Sequence, residues 1–530
     1  MSTRKRVLCV ISAVLIASVG GMLLTLLLRE PTSVEAAPTV VVRYVATTGS
    51  DSSNNCINST APCRTVQHAV DQSGPSLDNE VHVATGVYTG VQARGGMTQV
   101  VYISQTVTVR GGYSGDFVTW NPVTYPTTLD AQRQGRVVSI VGGSVGPTLE
   151  GFTITGGDAT GVITNCPNAG GISQGCGGGV FVYQAHPIIV NNVVTDSVAA
   201  VSTGGNSASG GGLCLAWANG SVISGNLIIS NTASPGNRGK GGGIHLYFPY
   251  NVLVVSNQIL SNTATTHNSL YGWGGGIAVD GSGAVATIRD NLIAGNRTNG
   301  VGGGQGAGIF NWYSWSHFVG NRVVGNYGSQ AVYLGYYGYG QARFEANQVI
   351  DNSTDAGVKV ANGIAGSTLV NNVIARSGDK TLLFSTYSSG APLTVTLVHN
   401  TLIGAGSGSG VYVETGYVTL FLTNTLVVSH TWGISNTFPA SSTVSADYTL
   451  FWANEQDGIT GTHPVYGDPV FVDPGGYHLG LGSAAVDAGV GTAESSDIDG
   501  DSRPLGPVPD IGADEVQQWR IFVPLVLRDY

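Results

Sequence analysis

Asparagine followed by any residue and then two apolar residues recurs, fully or nearly, at Asn192, Asn226, Asn257, Asn291, Asn321, Asn347, Asn372, Asn400 and Asn424. Successive spacings run from 24 to 34 residues. A second asparagine follows five residues later at Asn231, Asn262, Asn296, Asn326 and Asn352. Glycine clusters ending at Gly179, Gly212, Gly243, Gly276 and Gly308 keep the same beat. A fixed period of this size means stacked units, each burying its apolar face against its neighbours. Every unit holds three short apolar runs: one after the glycines, one before the asparagine and one after it. Their alternation has period two and their residues are often β-branched, so they predict strands with one buried face. Helices are excluded by the shortness of the runs and by the 79 glycines of 530 residues. Neither a leucine-rich signature nor a Trp-Asp blade signature is present.

Hydrophobic residues make up 42% of the chain, enough for a core. A net charge of -10, with no basic patch, argues against nucleic acid. Arg4, Lys5 and Arg6 precede an apolar run from Val7 to Leu28, and small residues around Ala36 and Ala37 offer a cleavage site. Residues 1–37 are therefore either a signal peptide or an N-terminal membrane anchor, and the remainder is expected outside the cytoplasm, secreted or at the cell surface. Membrane contact is expected only through that segment. In such a compartment Cys56 with Cys63, and Cys166 with Cys176, are candidates to close short loops as disulfides. Cys214 is left over.

Three strands per turn and a recurrent buried asparagine predict an all-β chain. It would be a single-stranded right-handed parallel β-helix of about twelve coils, stacked at the strand spacing. The nine asparagines would form a hydrogen-bonded ladder in the core. From Val41 to Val490 the pattern resembles the pectin-lyase-like parallel β-helix repeat proteins. "YVATTGSDSSNNC", "PCRTVQHAVD" and "EVHVATGVYTG" resemble the N-terminal cap and first coil of exported members. "GDPVFVDPGGYHLGLGSAAVDAGV" and "DIDGDSRPLGPVPDIGADE" resemble the C-terminal segment of choice-of-anchor Q surface proteins. The implied layout is a cap and first coil at 38–90, repeats at 91–466, an end segment at 467–516 and an apolar tail at 517–530. His68 to Val70 would help cover the first coil. The tail is a candidate sorting element or closing strand.

In the resembled family, substrate lies on the strand after the corner glycines. There the second residue of each strand should point outward. That column runs Phe181, Cys214, His245, Ala278, Phe310, Tyr333, Lys359 and Tyr412, with Trp312, Trp315 and Tyr337 in the adjoining loops. Aromatic side chains grouped on neighbouring coils suit stacking on sugar rings. Phe310, Tyr333, Tyr412, Trp312, Trp315 and Tyr337 are thus candidate ligand contacts, and a polysaccharide is the expected partner of a monomeric binding protein. The alternatives are a lyase or hydrolase acting on uronic-acid polymers, and a non-catalytic spacer. The clustered-acid signatures of galacturonan hydrolases are absent, and hydrolysis needs two carboxylates about one bond. Arg238-Gly-Lys240 matches an Arg-x-Lys signature without an evident acidic neighbour. A lyase would draw on Lys359 as base, with Asp351 and Asp355 near calcium; His245 is a further candidate base. The alternating Asp497, Asp499 and Asp501 form the other candidate calcium set, which would clamp the last coil.

Overall fold

The computed structural model describes residues 40–516, except 75–78, 163–165, 167–174, 202–206, 268–269, 300–303, 336–342, 363–364, 387–391 and 473–476. The leader, the tail and Tyr337 lie outside the described residues. Among the described residues, no helix is long and apolar enough to cross a membrane.

The chain is a right-handed parallel β-helix with three parallel faces per coil. The first face follows the glycine corner, the second precedes the asparagine and the third follows it. Among the described residues fourteen strands stack on the third face, from Gly86–Tyr88 to Val465–Tyr466, against the dozen or so coils expected. Inward valine, leucine, isoleucine and phenylalanine side chains from all three faces form one continuous core. At the glycine corners Gly274 has φ +64, a left-handed conformation open mainly to residues without Cβ. Two residues on, a Cβ on Gly276 would stand 2.6 Å from the Gly308 carbonyl oxygen, so the coils close up only over glycine.

The asparagines satisfy their amides along the rod. The backbone N–H of Asn257 donates to Asn291 Oδ1 at 2.9 Å, and its Nδ2 donates to that oxygen at 3.0 Å and to the Ile223 carbonyl at 2.9 Å. Side-chain bonds of this kind run unbroken from Asn192 to Asn400. A second ladder runs from Asn231 to Asn352 and ends on the Ser377 hydroxyl. Asn424 is not a rung. It sits one residue early, at φ +48, and Thr425 takes the ladder position; the Leu426 N–H still reaches the Asn400 carbonyl at 2.8 Å. Asparagine tolerates that left-handed corner. Its side chain turns outward to accept from Val490 N–H at 2.9 Å and donate to the Val490 carbonyl at 2.7 Å.

At the N-terminal end, helix α1 (Val66–Gln72) begins where the Thr65 hydroxyl accepts the His68 N–H. Val66, Ala69 and Val70, spaced for one helix face, join the core, so the helix closes the first coil. Cys56 is bonded to Cys63 and Cys166 to Cys176, with Cα–Cα separations of 5.1 and 5.6 Å. Cys214 is a buried thiol, and burial pushes its pKa up to about 12.

The C-terminal segment does not merely cover the last coil. It runs back along the third face. Tyr477 and Ala513 pack on Ile350, Val373, Ala375 and Ile403, while Leu479, Ala485 and Ile511 pack on Leu426, Val428 and Leu450. Arg343 pairs with Glu494 at 2.8 Å, and Asn371 donates to the Ser496 carbonyl at 2.8 Å. The strands beneath show the reason. Val373-Ile374-Ala375 and Leu426-Val427-Val428 are apolar and buried at every position, whereas Val193 and Thr195 in an uncovered coil are half-buried. A strand buried on both sides loses its alternation.

Candidate functional site on the glycine-led face

The outward column forms in register: Phe181, Cys214, His245, Ala278, Phe310, Tyr333 and Lys359 lie beside one another on successive coils. It is not, however, a surface. A second layer covers it, because the long segments before the glycine corners add three short strands, Ser207–Ser209, Arg238–Lys240 and Gly272–Trp273, which pair as their own sheet. Trp273 and Trp312 pack on Ala278, Phe310, Tyr333 and Ala361. Phe310 and Tyr333, at 3% and 1% exposure, are therefore floor and cannot be stacking platforms.

The other candidates separate in the same way. His245 is buried and neither ring nitrogen has a hydrogen-bond partner. Burial, followed by the nearby Lys240 charge, holds its pKa well below the usual histidine range, so it stays neutral and out of reach as a base. Lys359 pairs with Glu414 at 3.1 Å, while Asp351 pairs with Arg376 at 2.6 Å. Asp355 and Lys359 lie on one extended strand, Ser353–Ala361, so their backbones stand about 13 Å apart at the usual rise. The expected lyase constellation is not gathered. Tyr412 is half-buried, with Lys380 Nζ 6.0 Å from its ring centre. Trp315 packs against the interior of the coil. Asp497 spends both carboxylate oxygens on the backbone N–H groups of Asp499, Asp501 and Glu515, at 2.8–3.0 Å. Asp499 turns instead to His478 at 3.2 Å. The alternating aspartates thus stabilise a turn, since one of them is already consumed as its acceptor.

What the face does assemble is a cleft built on two columns. Ser209, Lys240, Trp273 and Gln305 follow one another in register on the outer strands. Tyr247, Asp280 and Trp312 do so at the fourth position of the glycine-led strands. Between the columns Lys240 forms an ion pair with Asp280, with the two side chains 11% and 9% exposed. A pair so far removed from water needs close partnering, since either charge alone would be costly there. Lys240 Nζ also stands 5.6 Å from the Trp273 ring centre. Two hollows meet at Lys240 and Trp312, which line both: one of about 390 Å³ bounded by Arg238, Trp273, Gln305 and Phe310, the other of about 420 Å³ bounded by Tyr247, Phe248, Asp280 and Tyr313. An aromatic ridge continues from there, with Trp217 stacked on Phe248 at 6.1 Å and edge-on to Tyr183 at 5.7 Å.

Sequence reasoning found Trp312 but missed the partnership of Lys240 with Asp280, which are 40 residues apart. The signal was present: Asp280 is the fourth residue of the strand Ile277–Arg289 that follows the Gly274–Gly276 corner, one coil beyond Arg238-Gly-Lys240. Gly335 makes room for Trp312, since a Cβ there would lie 2.6 Å from Trp312 Cε3 and 2.5 Å from Tyr333 Cε1. Gly335→Ala is expected to displace the indole at a cost of about 1–3 kcal/mol, with the coil otherwise intact. A shifted tryptophan emission with unchanged far-ultraviolet circular dichroism would show this; an unchanged emission would refute it.

Residues 138–349 match the Beta_helix family, described as a right handed beta helix region. No curated protein matches the chain. Among solved structures, the pectate lyase Pel9A is similar at 16% identity and a TM-score of 0.40, over 91% of this chain and 98% of that one. XylC in complex with xylose is similar at 11% identity and a TM-score of 0.42, over 90% and 98%. A rhamnogalacturonan lyase is similar at 12% identity and a TM-score of 0.24, over 77% and 87%. The family match falls on the coils that carry both columns of the cleft, and makes that stretch of the chain a right-handed β-helix.

Proposed function

We propose that this protein, exported from the cytoplasm, binds an acidic carbohydrate chain in the cleft between Trp273 and Trp312. The observation that carries the reading is the pair of indoles flanking the Lys240–Asp280 ion pair within one cleft. Aromatic faces take the apolar faces of sugar rings, and the paired charges offer donors and acceptors for hydroxyls. Arg238 supplies the preference for acid: its side chain lines the cleft and makes no hydrogen bond or ion pair among the described residues. A guanidinium in that position suits a carboxylate or sulfate substituent. Binding is favoured over hydrolysis because Asp280 is the one carboxylate among the described cleft residues, and hydrolysis draws on two.

An array of neutral and acidic polysaccharides, followed by calorimetric titration of the best ligand, tests the reading. Trp312→Ala is expected to weaken binding about tenfold to a hundredfold, from the loss of about 1.5–3 kcal/mol of aromatic burial. Arg238→Ala should narrow the gap between acidic and neutral chains. Equal affinity of wild type and Trp312→Ala would rule the cleft out, and appearance of unsaturated, ultraviolet-absorbing products would replace binding by elimination chemistry.

A further inference from the structure

We infer that the Cys166–Cys176 disulfide is a thiol–disulfide exchange site for a dithiol, with Cys166 as the attacked sulfur and Cys176 as the leaving sulfur, received by Arg136. Arg136 is fully buried at the start of the strand Arg136–Val141, and its guanidinium lies against the disulfide. Its Nη2 stands 3.2 Å from Cys166 Sγ and 3.3 Å from Cys176 Sγ, and donates to the Val162 carbonyl at 2.8 Å. Its Nε donates to the Cys176 carbonyl at 2.8 Å, and the Phe181 ring centre lies 4.2 Å from Cζ.

These contacts hold a cation without neutralising it. Nη1 is buried and has no hydrogen-bond partner among the described residues. No carboxylate pairs with Arg136 among the described residues, and residues 163–175 of the disulfide loop include no Asp or Glu. Gln99, its register neighbour, is neutral and gives its amide N–H groups to the Gln92 and Met97 carbonyls. Burial lowers the Arg136 pKa to about 9, so the group stays charged at neutral pH. A buried charge ordinarily comes with a counter-charge. The closed disulfide is neutral, and the thiolate formed when it opens is the missing anion.

Access fixes the direction of exchange, because Cys166 is half-buried and Cys176 fully buried. One thiolate of the dithiol forms a bond to Cys166 Sγ, the Cys166–Cys176 bond breaks, and its electron pair stays on Cys176 Sγ beside Arg136. The second thiol of the reductant then displaces Cys166 and closes the reductant's own disulfide. Two electrons pass to the protein, Cys166 takes one proton and the other enters water. A stabilised leaving thiolate speeds the exchange and favours the reduced form. The backbone here does not depend on the sulfur bond. Cys176 pairs with Ser209 of the next coil, the Ser209 N–H donates to the Gly175 carbonyl at 3.2 Å, and the Gly177 N–H donates to the Ser209 carbonyl at 3.0 Å. Cys214 packs in the same cluster, but its raised pKa keeps it a thiol, so the attacking sulfur comes from outside.

The test equilibrates the full chain in buffers of reduced and oxidised dithiothreitol, traps free thiols by alkylation and reads each cysteine pair by peptide mass. Cys166–Cys176 is expected to reduce with an equilibrium constant at least about tenfold above that of Cys56–Cys63, whose Cys63 Sγ meets the Asn54 carbonyl at 3.8 Å. In Cys166→Ser, Cys176 remains as a free thiol. It should titrate below about 7.5, against about 8.5 for free cysteine, in ultraviolet thiolate absorbance measured relative to Cys166→Ser/Cys176→Ser. Arg136→Met keeps much of the stem and removes the charge; it should abolish the tenfold preference and, combined with Cys166→Ser, return Cys176 to the ordinary value or above. A Cys166–Cys176 pair no more reducible than Cys56–Cys63, a Cys176 thiol titrating at the ordinary value or above, or Arg136→Met leaving both readings unchanged would overturn the site. The first two measurements keep Arg136, so a folding defect in Arg136→Met leaves the test intact. None of these outcomes bears on the glycan cleft.

Discussion

Asn291→Ala is expected to lower the unfolding free energy by about 3–5 kcal/mol, because it leaves two buried donors and several acceptors without partners at about 1–3 kcal/mol for each poorly compensated group. The Asn291 side chain accepts from Asn257 twice, through the backbone N–H at 2.9 Å and Nδ2 at 3.0 Å. It donates to the carbonyls of Val254 and Arg289 and to Asn321 Oδ1, at 3.0, 2.9 and 2.9 Å. Alanine offers none of these, and the site is too tightly enclosed for water to replace them all, since Asn291 is 2% exposed. The comparison is Arg289→Ala, two residues away. Its ion pair with Asp290 is about half exposed on both sides and is worth at most about 1 kcal/mol. Urea unfolding of the two variants measures the difference. If Asn291→Ala cost no more than Arg289→Ala, the ladder would be decoration rather than support.

The second large effect is loss of stability in mild acid through buried neutral histidines. Burial holds the His430 pKa down to about 4, against the ordinary value of 6.5, and a hydrogen bond with Asn454 opposes the shift only in part. Burial, with the Arg503 charge second, brings His399 down to about 3. A lowered folded-state pKa means that the unfolded chain takes up the proton first. The stability from each histidine is therefore complete above about pH 6.5 and falls as the pH drops toward the folded value. At pH 5 the loss is about 2 kcal/mol for each of the two, at about 1.4 kcal/mol per unit. Buried carboxylates of the C-terminal segment act in the opposite sense, because burial raises the pKa values of Asp497, Asp510 and Glu515. A variant separates the contributions. His430→Gln removes one titrating group while keeping a hydrogen-bonding side chain near Thr381, whose hydroxyl lies 2.9 Å from His430 Nε2. Between pH 4.5 and 6.5 its stability should vary with pH less steeply than wild type, by about 1 kcal/mol per unit on average. Identical slopes would mean that His430 protonates freely in the folded protein.

Much of this architecture was legible because β-helix coils are local and repetitive. The spacing of Asn192 through Asn400 and of the glycine corners placed the rungs, since each coil must repeat its buried amide and its tight corner. The pattern misled at Asn424, where a left-handed corner and the ladder use the same residue type and the register slips by one. The candidate site was legible only in fragments. Alternation along a strand correctly told inward from outward at Phe310, Tyr333 and His245, but it could not show that a further strand layer covers the outward side. Trp312 was visible as an aromatic beside that face. Its partner Trp273, and the meeting of Lys240 with Asp280, depend on how far each inter-coil segment bulges before returning.

Local pattern was enough for the fold: periodic asparagine, glycine and alternating β-branched residues admit few other ways to satisfy buried amides while stacking strands. Which faces stay exposed depended on long-range packing. The apolar outer positions of Val373, Leu426 and their neighbours are covered by the returning C-terminal segment, and the outward column is covered by Trp273 and Trp312. Burial depends on what the chain lays over a face from far away, and nearest-neighbour periodicity carries no record of that.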